Sequence, residues 1–422
     1  MFGAGDLRMA STHVPSERTS SVPPGRLIVM LGLLSILGPL TIDLYLPAFP
    51  QIENELATTP FAVQLTLSGA TLGFALGQLV VGPWSDSIGR RLPLLIGTGV
   101  HVAASVAIAA SPDIEWLIVL RVLQGAGSSG AGVVAMAMIR DVAEGSSLIK
   151  GLARVALFSG TAPIVAPFLG AQLMHLFSWR GIFVVVAAYG GVVLVLAAAF
   201  IPETLSPERR LGGRGRGRVL RSYRLLLRDR SFVGVALVGG MMVSSVFAYL
   251  STSSFMFQQA FGLAPQTYGL ISGINGLMFV VGTQVSAALA VRQGPHRVLA
   301  MILLGMVLIP AALILLSWVW PGLAGVVIAM ALFLLLAGGC GPCLSALGLA
   351  EHGERAGTAA ALLGAANFGL AGVASPVVGL LGVTSFAPLG AVMAAAMLLA
   401  NLAFWFMIAP RRRRPGGQAL DR

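Results

Sequence analysis

Long apolar segments recur twelve times along this chain of 422 residues, and they constrain its fold more than any other feature. A helix needs about 20 consecutive apolar residues to cross the ~30 Å hydrocarbon core of a bilayer. With 56% hydrophobic and only 10% charged residues, the composition is that of an integral membrane protein. The sequence therefore predicts an all-α membrane protein with twelve transmembrane helices. Their expected ranges are 27–48, 61–83, 93–111, 116–138, 148–174, 181–202, 232–256, 267–290, 298–318, 322–346, 357–382 and 387–409.

The net charge of +11 is concentrated in every second loop between these segments. Arginines precede the first segment, follow the second, flank the loop after the fourth and are most numerous between the sixth and the seventh. The intervening loops carry Glu53, Glu55, Asp113 and Glu115, with Arg180 as their basic residue. This positive-inside pattern predicts a multi-pass protein of the cell inner (plasma) membrane with both termini in the cytoplasm. Because the same rule accounts for the arginines, we expect no nucleic-acid partner.

The longest hydrophilic interruption, 203–231, divides the predicted helices into two sets of six. In the fifth segment, Gly160, Pro163, Pro167 and Gly170 have the same spacing as Gly369, Gly372, Pro376 and Gly379 in the eleventh. Such a repeat is typical of transporters whose halves rock around a central site. The expected organisation is a disordered cytoplasmic tail at 1–26, a six-helix bundle at 27–202, a basic cytoplasmic linker at 203–231, a second six-helix bundle at 232–409 and a basic cytoplasmic tail at 410–422.

One acidic residue, Asp43, lies inside the first apolar segment, in the stretch LGPLTIDLYLPAFP. A charge at membrane depth costs at least about 2.5–3.5 kcal/mol unless it has a partner or reaches the interface, so intramembrane acids are functional by default. Arg121, in the fourth segment, is expected at a similar depth, which allows the two side chains to pair. Asp43 is then the candidate proton carrier, with Arg121 as its coupling partner. The alternatives are that Asp43 only neutralises Arg121, and that Arg121 extends to the membrane interface.

The stretch GPWSDSIGRR, at the end of the second segment, resembles the signature of the major facilitator superfamily. Trp84 and Ser87 replace the usual Leu and Arg, whereas the residues that agree are Gly82, Asp86, Gly89, Arg90 and Arg91. From their charges, Asp86 is expected to pair with Arg90 or Arg140. Arg90 and Arg91 are each expected to tolerate substitution better than Asp86. The resemblance implies that this cluster latches a cytoplasmic gate; an ordinary positive-inside loop is the alternative.

Two further motifs resemble the same superfamily. LRVLQGAGSSGAG in the fourth segment matches its second motif at Arg121, Gln124, Gly125 and Gly127. GTAPIVAPFLGAQL in the fifth segment resembles the motif associated with antiporters, and its matching residues are Gly160, Pro163, Pro167 and Gly170. Ala166 and Ala171 replace two of the glycines of that motif, and a generic kinked helix is the alternative.

Together with DLYLPAFP, IRD, WRGIF and PET, these motifs make the first half similar to the Bcr/CflA drug-resistance branch of the drug:proton antiporters. The resemblance implies a major facilitator fold in the lipid bilayer that exports small, mostly apolar drugs, phenicols among them, in exchange for protons. A monomer suffices for such a two-bundle transporter. Candidate polar residues of the substrate cavity are Tyr45, Gln64, Gln78, Gln124 and Asn367.

Energy for transport is expected from the proton gradient without a cofactor, because the chain has no Gly-x-x-x-x-Gly-Lys-Ser/Thr phosphate-binding loop. A proton-coupled uptake symporter for a metabolite is the second hypothesis, although it predicts more polar residues in the spans. The third is a membrane thiol redox enzyme, because Cys340 and Cys343 form a CGPC sequence. That pair normally lies at the start of a helix that follows a strand, whereas here it lies within an apolar segment. We therefore expect no enzyme, no metal site and no thiol chemistry.

Overall fold

A computed structural model describes residues 24–210, 215–319, 322–349, 356–383 and 385–409. Within this part of the chain, twelve helices are long and apolar enough to cross a membrane, which confirms the all-α prediction. No strand occurs in the described residues. Residues 1–23 and 410–422, which make up most of the two predicted tails, lie outside them.

The helices before the linker are α1 (Pro24–Asp43), α2 (Phe49–Glu55), α3 (Pro60–Ile88), α4 (Arg91–Ala109), α5 (Ile114–Val142), α6 (Gly145–Leu173) and α7 (Trp179–Phe200). The linker contains α8 (Gly215–Arg228). The helices after it are α9 (Arg230–Phe255), α10 (Pro265–Gln293), α11 (Pro295–Val319), α12 (Leu323–Leu349), α13 (Ala356–Leu381) and α14 (Phe386–Ala403). We refer to α1–α7 as the first half and to α9–α14 as the second half.

The first span is broken, although the sequence predicts one continuous helix over 27–48. The α-helix ends at Asp43, a turn follows at Leu44 and Tyr45, and α2 begins at Phe49. Pro47 explains the break, because it has no N–H group to donate to the carbonyl of residue 43. Asp43 is therefore the last residue of a helix buried among others, rather than a mid-helix residue.

The second span is longer than predicted and contains most of the GPWSDSIGRR motif. α3 continues through Pro83 and ends at Ile88, and the φ of 116° at the following Gly89 favours glycine. The turn before α4 is therefore confined to Gly89 and Arg90. We call the side of the protein that holds this turn the basic face, and the opposite side, which holds Glu53 and Glu55, the acidic face.

The two halves meet along two helix pairs, α3 with α13 and α6 with α10. In both pairs the second half contributes glycines, which let a neighbouring helix approach closely because they have no Cβ atom. Along α3 and α13, the close approaches are Gln64 with Gly379, Thr71 with Gly372 and Gln78 with Gly364. The seven-residue spacing of the α3 side chains keeps them on one face of that helix.

Candidate functional site

Arg121 is the centre of a buried hydrogen-bonding network in the first half. Its side chain is 0% exposed, so polar contacts within the protein must offset the cost of its charge at membrane depth. Its Nη1 donates to the backbone oxygen of Thr41 at 2.9 Å and to Oε1 of Gln124 at 2.5 Å. Its guanidinium carbon lies 4.1 Å from the ring centroid of Tyr45. Carbonyl oxygens and an aromatic face thus offset part of the cost of the charge, while Nη2 of Arg121 has no hydrogen-bond partner among the described residues.

The break after α1 explains why Arg121 binds a backbone carbonyl. The last carbonyls of a helix have no partner within the helix, and they form the negative end of its dipole. At the end of α1, Leu40 accepts a bond from the backbone of Leu44, and Thr41 accepts the one from Arg121. Arg121 therefore caps the broken helix.

Asp43 does not form the predicted ion pair with Arg121. The described residues contain three ion pairs, and none of them involves Asp43. Asp43 is nevertheless only 5% exposed. It interacts electrostatically with Tyr45 and with Tyr268 of α10, which belongs to the second half. The short helical turn that follows, Leu46–Ala48, contacts α9 and α10 of the second half, so Asp43 lies close to the boundary between the halves and outside the Arg121 network.

Beyond Arg121, the network continues into α4. Nε2 of Gln124 donates to the hydroxyl of Ser105 at 2.8 Å, and that hydroxyl donates to the carbonyl of His101 at 2.7 Å. A ring nitrogen of His101 lies 3.4 Å from the carbonyl of Gln124. Two of the predicted cavity residues, Tyr45 and Gln124, thus support Arg121.

The other three predicted cavity residues lie on helix contacts rather than around Arg121. Gln64 donates from Nε2 to the backbone oxygen of Ser251 and to the hydroxyl of Thr252, each at 3.3 Å. Its Oε1, together with Oε1 of Gln78 and Oδ1 of Asn367, has no hydrogen-bond partner among the described residues. The oxygens of Gln64 and Gln78 face glycines of α13 across the junction of the halves, whereas that of Asn367 faces Gly239 of α9 within the second half.

Aromatic residues that the sequence analysis did not single out meet between the halves. The ring centroids of Phe74 in α3 and Phe368 in α13 lie 4.7 Å apart. Phe247 of α9 approaches Phe368 at 6.0 Å. Phenylalanine is frequent throughout the apolar segments, so no sequence signal distinguished these three.

Hydrogen bonds donated by glutamines join the halves at the acidic face, and no motif in the sequence predicts them. Gln258 donates to the backbone oxygen of Pro47 at 2.9 Å, and Gln259 donates to the carboxylate of Glu53 at 2.7 Å. Gln266 donates to the backbone oxygen of Ala171 at 3.3 Å. With the bonds of Gln64, they close this face of the protein.

At the basic face, the side chain of Arg90 connects the predicted gate motif to the end of α5. It is buried, it forms an ion pair with Asp86, and its Nε donates to Asp141 at 3.0 Å. Its Nη1 also donates to the hydroxyl of Ser85 at 2.9 Å. Arg140, the alternative partner predicted for Asp86, is exposed and forms none of the three ion pairs among the described residues.

Arg91 makes different contacts from Arg90, so the two arginines are not interchangeable in the structure. Its side chain donates to the carbonyl of Ala198 at 2.6 Å. The carboxylate of Glu203, from the PET motif, accepts the backbone N–H groups of Arg90 at 2.8 Å and Arg91 at 3.2 Å, and so caps α4. Partial burial raises the pKa of Glu203, but the N–H donors of Arg90, Leu205 and Arg91 outweigh it and hold that pKa below its ordinary value.

The residues of the predicted antiporter motif lie in α6, with Pro163 and Pro167 inside the helix. A methyl group added at Gly170 would collide with the carbonyl oxygen of Leu44, in the turn that follows Asp43. A methyl group at Gly160 would meet nothing within 4 Å. Gly170 therefore holds α6 against the broken span, and Gly160 does not.

The sequence matches the Major Facilitator Superfamily over residues 31–376, which is most of the chain. The chain belongs to the Major Facilitator Superfamily. Its members are transporters, so the thiol redox hypothesis is set aside, and Cys340 and Cys343 are buried inside α12. The twelve membrane-spanning helices make this superfamily member a multi-pass membrane protein.

Two relatives and one solved structure illustrate the similarity. The chain is 35% identical over 381 residues to the Uncharacterized MFS-type transporter YdgK of Bacillus subtilis, which covers 90% of this chain and 94% of that protein. It is 28% identical over 389 residues to the Bicyclomycin resistance protein homolog of Haemophilus influenzae, covering 90% and 95%. The crystal structure of a bacterial homolog to the human lysosomal transporter Spinster, in an inward-facing and occupied conformation, superimposes with a TM-score of 0.75 at 15% identity, covering 93% of this chain and 98% of that one. That last likeness shows a shared fold.

Proposed function

We propose that this transporter exports small, mostly apolar drugs in exchange for protons, with Asp43 as the proton carrier. The observation that carries the proposal is the environment of Asp43, which is 5% exposed while Arg121 is held by other groups. The charge of a buried carboxylate without a counter-ion is costly. A proton, or a positively polarised group on a ligand, removes that cost.

The position of Asp43 close to the boundary between the halves can couple proton binding to the rocking of the halves. The turn that follows Asp43 contacts α9 and α10 of the second half, so any rocking of the halves changes what surrounds the carboxyl group. Burial favours the neutral form of a carboxyl group, and contact with water or a cation favours the charged form. One proton that moves down 100 mV supplies about 2.3 kcal/mol, which is enough to drive such a change.

Aromatic and amide groups at the junction of the halves suit small, mostly apolar drugs. Phe74 and Phe368 offer apolar surfaces from opposite halves, and Gln78 and Asn367 offer acceptor oxygens without a partner among the described residues. Ligand sites in proteins commonly combine an apolar lining with a few polar groups that fix orientation. The relative named for bicyclomycin resistance supports a drug as the substrate.

The direction of transport in this proposal depends on orientation. With the basic face in the cytoplasm, as the positive-inside rule expects, the glutamine contacts close the protein toward the outside. Drug then enters from the cytoplasm or the inner leaflet, and protons enter from the outside. No cofactor takes part.

Everted membrane vesicles test the proposal, because their outer surface is the cytoplasmic one. An imposed proton gradient, acidic inside, is established and candidate drugs, including bicyclomycin and chloramphenicol, are added. We expect drug-induced proton release that vesicles without the protein lack, together with resistance in an efflux-deficient host. Accumulation of a metabolite by intact cells, without drug-induced proton release, would contradict the proposal and favour an uptake symporter.

A further inference from the structure

The linker helix α8 has a fixed orientation on the basic face, although the sequence suggested only a basic linker. Leu226 is 1% exposed and packs against Phe232 and Ala359 of the second half. The hydroxyl of Tyr223 donates to the backbone oxygen of Leu79 in α3, at 3.4 Å. One face of α8 is therefore attached to both halves, next to the junction of α3 and α13.

The opposite face of α8 carries basic residues. Arg221, Arg224 and Arg228 are all exposed, and their spacing of three and four residues aligns them along the helix. None of them takes part in the three ion pairs among the described residues. The sequence of α8 contains no acidic residue. The stripe formed by these three arginines therefore lacks an anionic partner within the described part of the protein.

Apolar side chains flank the arginine stripe. Leu225 is 39% exposed and Leu227 is 58% exposed. At 100° per residue, they lie on either side of the three arginines. α8 follows the end of α7 and precedes the start of α9, so the helix lies where two spans leave the membrane. A helix that combines arginines with exposed leucines at this level suits the boundary between headgroups and acyl chains.

We propose that the exposed face of α8 binds anionic phospholipid headgroups of the surrounding bilayer. The guanidinium groups of Arg221, Arg224 and Arg228 bind the phosphates, and Leu225 and Leu227 contact the adjoining acyl region. The positive-inside rule explains why arginines are retained on this face, but it does not require them to form a stripe opposite an anchored face. The bound lipid lies beside the α3–α13 junction.

A fluorophore on α8 tests this binding in the full-length, detergent-solubilised protein. Leu227→Cys provides a single reactive thiol beside the arginine stripe, because Cys340 and Cys343 are buried in α12. A bimane label there is titrated with short-chain phosphatidylglycerol and, separately, with phosphatidylcholine of the same chain length. We expect a blue shift at lower concentrations of phosphatidylglycerol. Each Arg→Gln change in the stripe should weaken that preference about fivefold.

Three variants make the result decisive. Arg221→Gln/Arg224→Gln/Arg228→Gln should abolish the preference, while the same three changes to Lys should retain it. The matched control Lys150→Gln/Arg292→Gln/Arg297→Gln removes the same charge from exposed positions on the same face and should retain it too. An equal response of the parent to the two lipids would overturn the proposal. So would a preference for phosphatidylglycerol that persists in the triple Gln variant, or one that is lost in the triple Lys variant or in the control variant. An equal response to free glycerol 3-phosphate would instead indicate a site for soluble anions, and would also overturn it.

Discussion

The guanidinium carbon of Arg121 lies 4.1 Å from the ring centroid of Tyr45, two residues after Asp43. This contact and the hydrogen bond to the carbonyl of Thr41 fix the chain on both sides of Asp43. Arg121 therefore positions the backbone that carries Asp43, and it leaves the carboxyl group itself unpaired by a cation. The positive charge of Arg121 thus holds the backbone around Asp43, and this arrangement is compatible with the proposed role of Asp43 as proton carrier.

Arg90→Gln should impair the protein more than Arg91→Gln or Asp86→Asn does. Arg90 is buried and bonds to Asp86, Asp141 and Ser85, so its loss leaves two carboxylates without their cation. We expect a loss of roughly 1.5–3 kcal/mol in stability together with slower export. Thermal unfolding in detergent and export rates at matched expression measure the two effects. Equal losses in all three variants would show that the charges act collectively rather than through Arg90.

Glu203→Gln should destabilise the protein near neutral pH and have less effect in acid. Since the folded-state pKa of Glu203 is lowered, its carboxylate stabilises the fold above the unfolded pKa, and this contribution disappears as the pH falls through the folded pKa. Because this capping carboxylate is largely exposed, we expect it to contribute only about 0.5–1 kcal/mol to the free energy of unfolding. Unfolding temperatures of the parent and the variant should converge as the pH is lowered from 7 toward 4 (roughly the ordinary pKa range of Glu). Glu115→Gln, which removes one carboxylate from the opposite face, is the matched control for the loss of a negative charge. A difference between the parent and Glu203→Gln that stays constant over this pH range would contradict the capping role.

Gln64→Leu combined with Gln258→Leu should open the acidic face. Each neutral hydrogen bond across the halves contributes about 1 kcal/mol, so losing one changes the closed-to-open ratio about fivefold. Spin labels at Asn54→Cys and Ala264→Cys, which are exposed in different halves, report the separation by pulsed electron resonance. We expect a new population at longer distance. The control Gln293→Leu, exposed at the far end of α10, should leave the distances unchanged. An unaltered distribution in the double variant would mean that the glutamines do not hold this face closed.

Gly170→Ala should be harmful and Gly160→Ala should be tolerated, although both glycines belong to the same predicted motif. The added methyl group collides with the carbonyl of Leu44 in the first case and meets nothing within 4 Å in the second. Overpacking of this kind costs typically about 1–3 kcal/mol. Expression, thermal unfolding and export of the two variants provide the comparison. Equal tolerance would mean that α6 can move away from the turn after Asp43 without consequence.

The twelve spans could be predicted because the thickness of the bilayer imposes the length of each apolar segment. Asp43 and Arg121 could be singled out because charges at membrane depth are costly. The partner of Arg121 could not be, since backbone carbonyls have no sequence signature and become available only where Pro47 breaks the first span. The sequence analysis predicted no break at Pro47, and the contact of Arg121 with the freed carbonyl depends on α5 lying beside that break.

Other parts of the site depend on tertiary contacts between distant residues. Gln258 and Pro47 are 211 positions apart, and nothing in their local sequences indicates a bond. The ranking of Arg90 above Arg91 likewise depends on Asp141, near the end of α5, and on Glu203, which follows α7. α8 was missed because it begins within a run of alternating Gly and Arg, and Gly lowers helix propensity.

Drug-driven proton release by Asp43 variants in everted vesicles tests the central claim most directly. We predict that Asp43→Asn inserts into the membrane but releases no protons on addition of drug, and that Asp43→Glu retains part of the release. The double variant Asp43→Asn/Arg121→Gln should remain inactive, because Arg121 positions the backbone and does not depend on the Asp43 charge. Drug-driven proton release at the parent's rate in Asp43→Asn, or its restoration in the double variant, would contradict the assignment of Asp43 as the proton carrier.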